Sequence, residues 1–205
     1  LRIIRSIRFS LEYVSKVERT PIEAIKLNLD GIKKISKERI LSELFKTLSL
    51  KNFIKLNIIK NLKEIFLLIF PEFKNLERLN RLGSILNQLN FDKETLLAVL
   101  LIDQDNSQEY FLHKYNVSNE IKDRLNLMAK NFKNLQLNKK FFKNDLKKNI
   151  YFFGKDHLLG LNVLNFSSIK KTKVKDYLDI LNNIKKFDIP KFSFDGKYLK
   201  ERGMK

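Results

Sequence analysis

Apolar residues recur along this chain at intervals of three and four positions rather than at every second position. Two such runs are Ile40, Leu41, Leu44, Phe45 and Leu48, and Val174, Tyr177, Leu178 and Leu181. This spacing matches the 3.6-residue period of an amphipathic α-helix and not the alternation of a strand. Only 6 glycines and 3 prolines interrupt the pattern. We therefore predict an all-α chain of about eight or nine helices joined by short loops.

Short polar residues stand directly before several of the periodic segments and predict where helices begin. Their side chains can accept a hydrogen bond from an unpaired N–H group of the first helical turn. The predicted N-cap residues are Thr20, Ser36, Asp92, Ser118 and Thr172. Pro71 follows EIFLLIF and Gly83 follows RLNRL, so both are predicted to mark helix ends.

The chain carries a large excess of positive charge. Its 41 Lys and Arg residues against 23 Asp and Glu give a formal net charge of +18. Such a balance favours an anionic partner, most often nucleic acid. The alternative is compositional drift, because an AT-rich coding sequence also enriches Lys, Asn, Ile and Phe.

Several classes of chemistry are disfavoured by composition. There is no cysteine, which excludes disulfides, thiol catalysis and cysteine-based zinc sites. His113 and His157 are far apart in sequence, without neighbours that suggest a metal site or a triad, and we expect both at the surface or half-buried. The longest apolar runs, Ile65–Phe70 and Leu96–Ile102, are far shorter than the roughly 18 residues that span a bilayer. No targeting segment is visible, so we expect a cytoplasmic protein without a membrane partner.

Five motifs occur in an order that points to one family. They are RIIRSIRF near the start, TPIEAIKLN, ISKERILSELFKTL, FLLIFPEF, and FSFDGKYLKERGMK at the end. Together they resemble the C-terminal part of the class II nucleotidyltransferases, which comprise the CCA-adding tRNA nucleotidyltransferases and the bacterial poly(A) polymerases. ISKERILSEL is the most specific match, whereas the arginine motif by itself is weak.

The resemblance implies an elongated array of helices called neck, body and tail. The neck would cover residues 1–48, the body 49–165, and a truncated tail 166–205. In the family a preceding head carries a Gly-Gly loop and an Asp-x-Asp pair that holds Mg²⁺ for reaction with CTP or ATP. We expect that head to be missing here. The chain would then contain no catalytic residue and no cofactor of its own, and it would be inactive alone.

Three arginines near the start are the candidates for nucleotide binding. By resemblance Arg2 corresponds to the Arg of a Glu-Asp-x-x-Arg motif, which reads the base edge of CTP or ATP; a planar guanidinium suits that task. Arg5 and Arg8 would belong to the next motif and brace the neck helix through charge-assisted bonds. Helical spacing fans these arginines over one side and brings Ile4 and Ile7 together for packing. The alternative is an ordinary solvated basic face.

Two segments are candidates for RNA binding. Residues 138–155 interleave lysines with aromatic residues, which could neutralise phosphates and stack bases; alternatively the aromatics are core and the lysines their solvent face. The tail has turn glycines with basic neighbours, and the resemblance implies that it grips the tRNA elbow; alternatively these glycines are ordinary helix caps. The candidate residues are Lys139, Lys140 and Lys143 in the first segment, and Gly196, Lys197, Lys200, Arg202 and Gly203 in the tail.

Asp103 and Asp105 imitate the Asp-x-Asp metal pair, but we interpret them as residues that end a body helix. They follow the apolar run LLAVLLI, and no glycine-rich loop precedes them to hold a triphosphate.

Four functions stay open: an RNA-binding portion acting in tRNA 3′-end processing, a split enzyme whose head is a separate polypeptide, a helical protein-interaction domain, and a decayed gene fragment. The sequence does not separate CCA addition from poly(A) addition.

Overall fold

The fold is known from a computed structural model that describes residues 1–13, 20–28, 30–88, 92–103, 105–138, 140–189 and 200–203. Every regular element in these ranges is helical, so the predicted all-α class is confirmed. The helices are α1 (Arg2–Tyr13), α2 (Thr20–Leu27), α3 (Asp30–Lys33), α4 (Lys37–Leu48), α5 (Lys60–Ile69), α6 (Arg78–Leu82), α7 (Lys93–Leu101), α8 (Ser107–Lys114), α9 (Asn119–Leu137), α10 (Leu146–Phe153), α11 (Lys155–Ser168) and α12 (Val174–Lys186). Two 3₁₀ segments cover Lys51–Asn57 and Gly83–Gln88.

The described residues thus form more helices than the eight or nine expected. Short helices such as α3 and α6 contain too few residues for a period to show in the sequence. Among the described residues, no helix combines the length and the apolar composition needed to cross a lipid bilayer. The division into neck, body and tail stays a prediction.

Helix starts follow the predicted caps in part. The Asp92 carboxylate accepts hydrogen bonds from the Glu94 N–H at 2.8 Å and from the Thr95 hydroxyl at 3.0 Å, as an N-cap should. Ser36 and Ser118 occupy the N-cap positions of α4 and α9, but neither side chain makes a capping bond.

The predicted cap at Thr172 is wrong by one residue. The N-cap of α12 is Lys173, whose backbone N–H donates to the Asp176 carboxylate at 3.0 Å. An acidic residue in the first turn therefore replaces the hydroxyl that the sequence suggested. Thr20 is the first residue of α2, and the residue before it lies outside the described residues. Helix α5 ends before Pro71 and α6 ends before Gly83, as predicted.

The centre of the fold is formed by α7 and α11, which pack against each other. All residues from Thr95 to Leu101 are buried, and so are ten of the residues between His157 and Ser167. Because these helices are covered on all sides, they lack the one-sided apolar stripe of a surface helix. Helices α6, α9 and α12 also pack against α11.

Phenylalanine rings fill a second part of the core. Phe53, Phe66, Phe70, Phe73 and Phe111 are each at most 1% exposed. Successive ring centroids lie 5.0 to 5.9 Å apart, and the pairs are tilted, stacked or edge-on. Such contacts stabilise the fold beyond the burial of apolar area. Much of the aromatic content is therefore structural.

Candidate nucleic-acid interface

The first candidate surface is built on α1. Ile4, Ile7 and Leu11 are each 1% exposed and lie on the side of α1 that packs against α4. The predicted packing of Ile4 and Ile7 is confirmed. Burial of this apolar stripe fixes the rotation of α1 about its own axis, and with it the positions of the three arginines.

Arg5 and Arg8 converge on one carboxylate, that of Glu43 in α4. The Arg5 Nε donates to Glu43 Oε1 at 3.3 Å, and the Arg8 Nε lies 3.3 Å from Glu43 Oε2 in an ion pair without hydrogen-bond geometry. Lys46 Nζ donates to the same Oε1 at 3.3 Å. The Glu43 side chain is only 4% exposed. Three cations thus surround a buried anion at the joint of α1 and α4.

The environment of Glu43 favours its charged form. Burial by itself would raise the pKa of this carboxyl group, but hydrogen bonds from Lys46 and Arg5 and the nearby charges of Lys46 and Arg8 lower it. The net effect is a pKa below the usual value. Glu43 is therefore an ionised brace at neutral pH.

Arg2 differs from the other two arginines. Its side chain is exposed at the first turn of α1, and it makes no hydrogen bond or ion pair with any residue that the structure describes. Arg8, by contrast, also lies 3.8 Å from Glu12 and covers the Phe9 ring at 4.7 Å. Arg2 is thus the arginine of the motif that Glu43 does not engage, and all of its donors face solvent.

The lysine and aromatic segment is neither all core nor all surface. Phe141 is 6% exposed, whereas Tyr151 and Phe152 are 59% and 66% exposed. Lys140 and Lys143 are exposed, and Lys139 lies outside the described residues. The core interpretation is therefore confirmed for Phe141, while RNA contact by the exposed lysines and aromatics stays a prediction.

The tail is described only in part. Gly196 and Lys197 lie outside the described residues, while Lys200 and Arg202 are exposed. Gly203 has a φ of 80° and its N–H donates to the Lys200 carbonyl at 3.0 Å. A positive φ of this kind suits glycine and closes a turn beside basic side chains.

Asp103 organises a turn before α8. Its carboxylate accepts hydrogen bonds from the Ser107 hydroxyl at 2.6 Å, the Ser107 N–H at 3.1 Å and the Asp105 N–H at 3.0 Å. Burial would raise its pKa, but these bonds lower it.

Within the described ranges, no three metal-binding side chains come together. Magnesium with CTP or ATP remains an expectation for a complete family enzyme.

The expectation that His157 lies at the surface or half-buried is wrong. It is 8% exposed, and its Nε2 lies 3.0 Å from the Asn131 side-chain nitrogen. Burial, with a smaller contribution from the Arg124 charge, lowers its pKa to about 4. Because Asn131 Nδ2 can only donate, Nε2 is the acceptor of a neutral imidazole. Its place in the apolar run HLLGLNVL was a signal for burial.

The comparison with known proteins yields no relative for this chain. No protein-family model matches it, and no significant match was found among curated proteins or among solved structures.

Proposed function

We propose that this chain is an RNA-binding portion of a protein related to the class II nucleotidyltransferases. It would hold tRNA or another RNA for 3′-end processing, while a catalytic head, on the same or a separate polypeptide, adds nucleotides from CTP or ATP. By itself the chain would incorporate no nucleotide.

One observation carries this proposal: residues from two of the five motifs meet at Glu43. Arg5 and Arg8 come from the arginine motif RIIRSIRF, and Glu43 comes from ISKERILSEL. The resemblance implied a bracing role for both arginines, and such a brace needs a partner held in place. A buried carboxylate at the α1–α4 joint is a suitable partner. It leaves Arg2 exposed to read a base edge.

Charge supplies the affinity for RNA in this proposal. The net charge of +18 includes exposed lysines in the 140–148 segment, which pair with no carboxylate of a described residue, and basic residues in the tail. Contacts between lysines and phosphates dominate nucleic-acid affinity and release counterions. Binding should therefore weaken steeply as salt is added.

The experiment measures binding of the 205-residue chain to folded tRNA by fluorescence anisotropy between 50 and 200 mM salt. Four phosphate contacts, each with a slope near −0.9, predict an affinity loss of roughly 100-fold over this range. An unstructured polyanion of equal charge serves as competitor and should displace tRNA poorly. An affinity that is insensitive to salt, or equal competition by the polyanion, would contradict the proposal.

A second candidate function is a helical protein-interaction domain. Phe9 and Tyr13 are 45% and 73% exposed on α1, and their rings stack with centroids 6.5 Å apart. Exposed aromatic residues of this kind are typical of protein interfaces. The polyanion competition separates the two functions, because a protein-interaction domain should bind tRNA no better than any protein of similar charge.

A further inference from the structure

A cleft of about 450 Å³ lies between the C-terminal part of α9 and helix α10. Phe152 and Phe153 line it with aromatic surface, and Asn134 and Lys148 line it with polar groups. This volume falls in the range of small-molecule sites, which combine apolar walls with a few polar groups.

The aromatic side of the cleft is held open to solvent by the way α10 is docked. Leu146, Asn149 and Ile150 form the buried side of α10, so Tyr151 and Phe152 lie on its opposite, exposed side. The Asn149 side chain donates to the Phe141 carbonyl at 2.9 Å, which ties the preceding turn to α10. Two exposed rings, edge-on with centroids 5.7 Å apart, therefore lie side by side on this surface.

One amide at the cleft is available for hydrogen bonding. Asn138 is already engaged at both atoms, because its Nδ2 donates to Asp145 at 3.0 Å and its Oδ1 accepts from the Lys140 N–H at 2.9 Å. Asn134 is exposed, and its side chain has no partner among the residues that the structure describes. A free amide presents a donor beside an acceptor, the pattern that pairs with the edge of a base.

Positive charge surrounds the cleft. Lys140, Lys143, Lys147 and Lys148 are exposed, and none of their ammonium groups pairs with a carboxylate in the described part of the chain. Asp145 also lines the cleft, where its carboxylate accepts a hydrogen bond from the Asn138 amide, and the four lysines outnumber its single negative charge. This surface therefore complements a ligand that carries phosphates next to a flat, apolar ring.

We propose that the cleft binds an unpaired nucleobase of a single-stranded RNA segment. The base stacks on Phe152, its edge faces the Asn134 amide, and the flanking phosphates lie against Lys147 and Lys148. The inference rests on the proposed RNA-binding function and adds a base contact to it. A surface that used charge alone would not distinguish a strand with bases from an abasic strand, whereas a stacking ring needs a base outside a duplex.

The test compares a labelled single-stranded RNA of eight nucleotides with an abasic oligonucleotide of the same backbone. The full chain and its Phe152→Ala variant are titrated by fluorescence anisotropy. We expect Phe152→Ala to weaken binding of the intact RNA about tenfold, since one aromatic–base stack is lost. Binding of the abasic strand should not change, because the lysines and phosphates are untouched.

Tyr110→Ala is the matched control, since Tyr110 is 63% exposed on α8. It should leave both affinities unchanged, and circular dichroism melting should show that both variants stay folded. The inference is overturned if Phe152→Ala has no effect, if it weakens both oligonucleotides equally, or if Tyr110→Ala weakens binding as much.

Binding of folded tRNA, measured with the same proteins, separates this inference from the proposed function. If tRNA binding is steeply salt-dependent but the bases of the short RNA contribute nothing, the proposed base contact in the cleft is wrong and the RNA-binding function still holds. Base-dependent binding of the short RNA without any preference for tRNA over polyanion would overturn the tRNA-related function alone.

Discussion

Replacing Glu43 by Gln tests whether the α1–α4 joint depends on a buried charge. The amide keeps the size of the side chain and can still accept one hydrogen bond at its oxygen. It removes the negative charge that faces Arg5, Arg8 and Lys46. The Nε of Arg8 would then face a neutral group in a partly buried position. We expect the folded state to lose stability.

The magnitude follows from the exposure of the three cations. Removing one partner of a fully buried ion pair costs about 3 to 5 kcal/mol. Here the side chains of Arg5 and Lys46 are 48% and 57% exposed, so water screens much of their interaction, and only Arg8, at 21%, is well covered. We therefore expect a loss of about 1 to 2 kcal/mol in the free energy of unfolding. For a chain of this length that corresponds to a decrease in Tm of roughly 3 to 6 °C.

The pH dependence gives this prediction a signature that a packing defect would not have. The pKa of Glu43 is lowered in the folded state from its usual value of 4.5. Its stabilising contribution is therefore fully present above pH 4.5 and is lost as the pH falls through the lower, folded-state pKa. The difference in stability between the wild type and Glu43→Gln should stay constant from pH 7 to about pH 5 and shrink below that.

The assay is urea unfolding followed by circular dichroism at 222 nm, at several pH values. Glu38→Gln is the control, because Glu38 lies on the same helix with an exposed side chain that pairs with no other described residue. It should change stability by no more than about 0.5 kcal/mol. Equal losses for both variants, or a difference that persists unchanged at pH 3, would refute the reasoning.

Two further predictions concern the core. Arg78 donates to the carbonyls of Val99 and Ile102 at 2.8 and 2.7 Å. Arg78→Ala should therefore lower the free energy of unfolding in urea by about 2 to 3 kcal/mol, and Arg78→Lys should lose less. Full stability of the Ala variant would contradict this role. Because the pKa of His157 is lowered to about 4, stability should fall by up to roughly 3 kcal/mol as the pH decreases from 6.5 to 4, and His157→Gln should lack this decrease. If NMR shows that His157 titrates near pH 6.5, the prediction for His157 is wrong.

The sequence by itself determined the helical class and many helix boundaries. The period of apolar residues depends only on local geometry, so the spacing alone predicts that Ile4 and Ile7 lie together for packing, and both are buried. Asp92 caps α7 for a similar reason, since its acceptor reaches a backbone N–H two residues away. Such features involve neighbours in sequence, and sequence patterns record them.

The candidate sites depended on contacts between distant residues. The arginine motif predicts Arg5 and Arg8 as site residues, but their partner Glu43 follows 35 or more positions later, and the sequence does not indicate that it faces them. In the 138–155 segment, the sequence could not decide whether the aromatics were core or surface. The packing of α10 and of the turn before it buries Phe141 and leaves Phe152 exposed. Which side of a helix meets its neighbour is set by packing across the whole chain, so only the tertiary structure placed a ring, a free amide and lysines around one cleft.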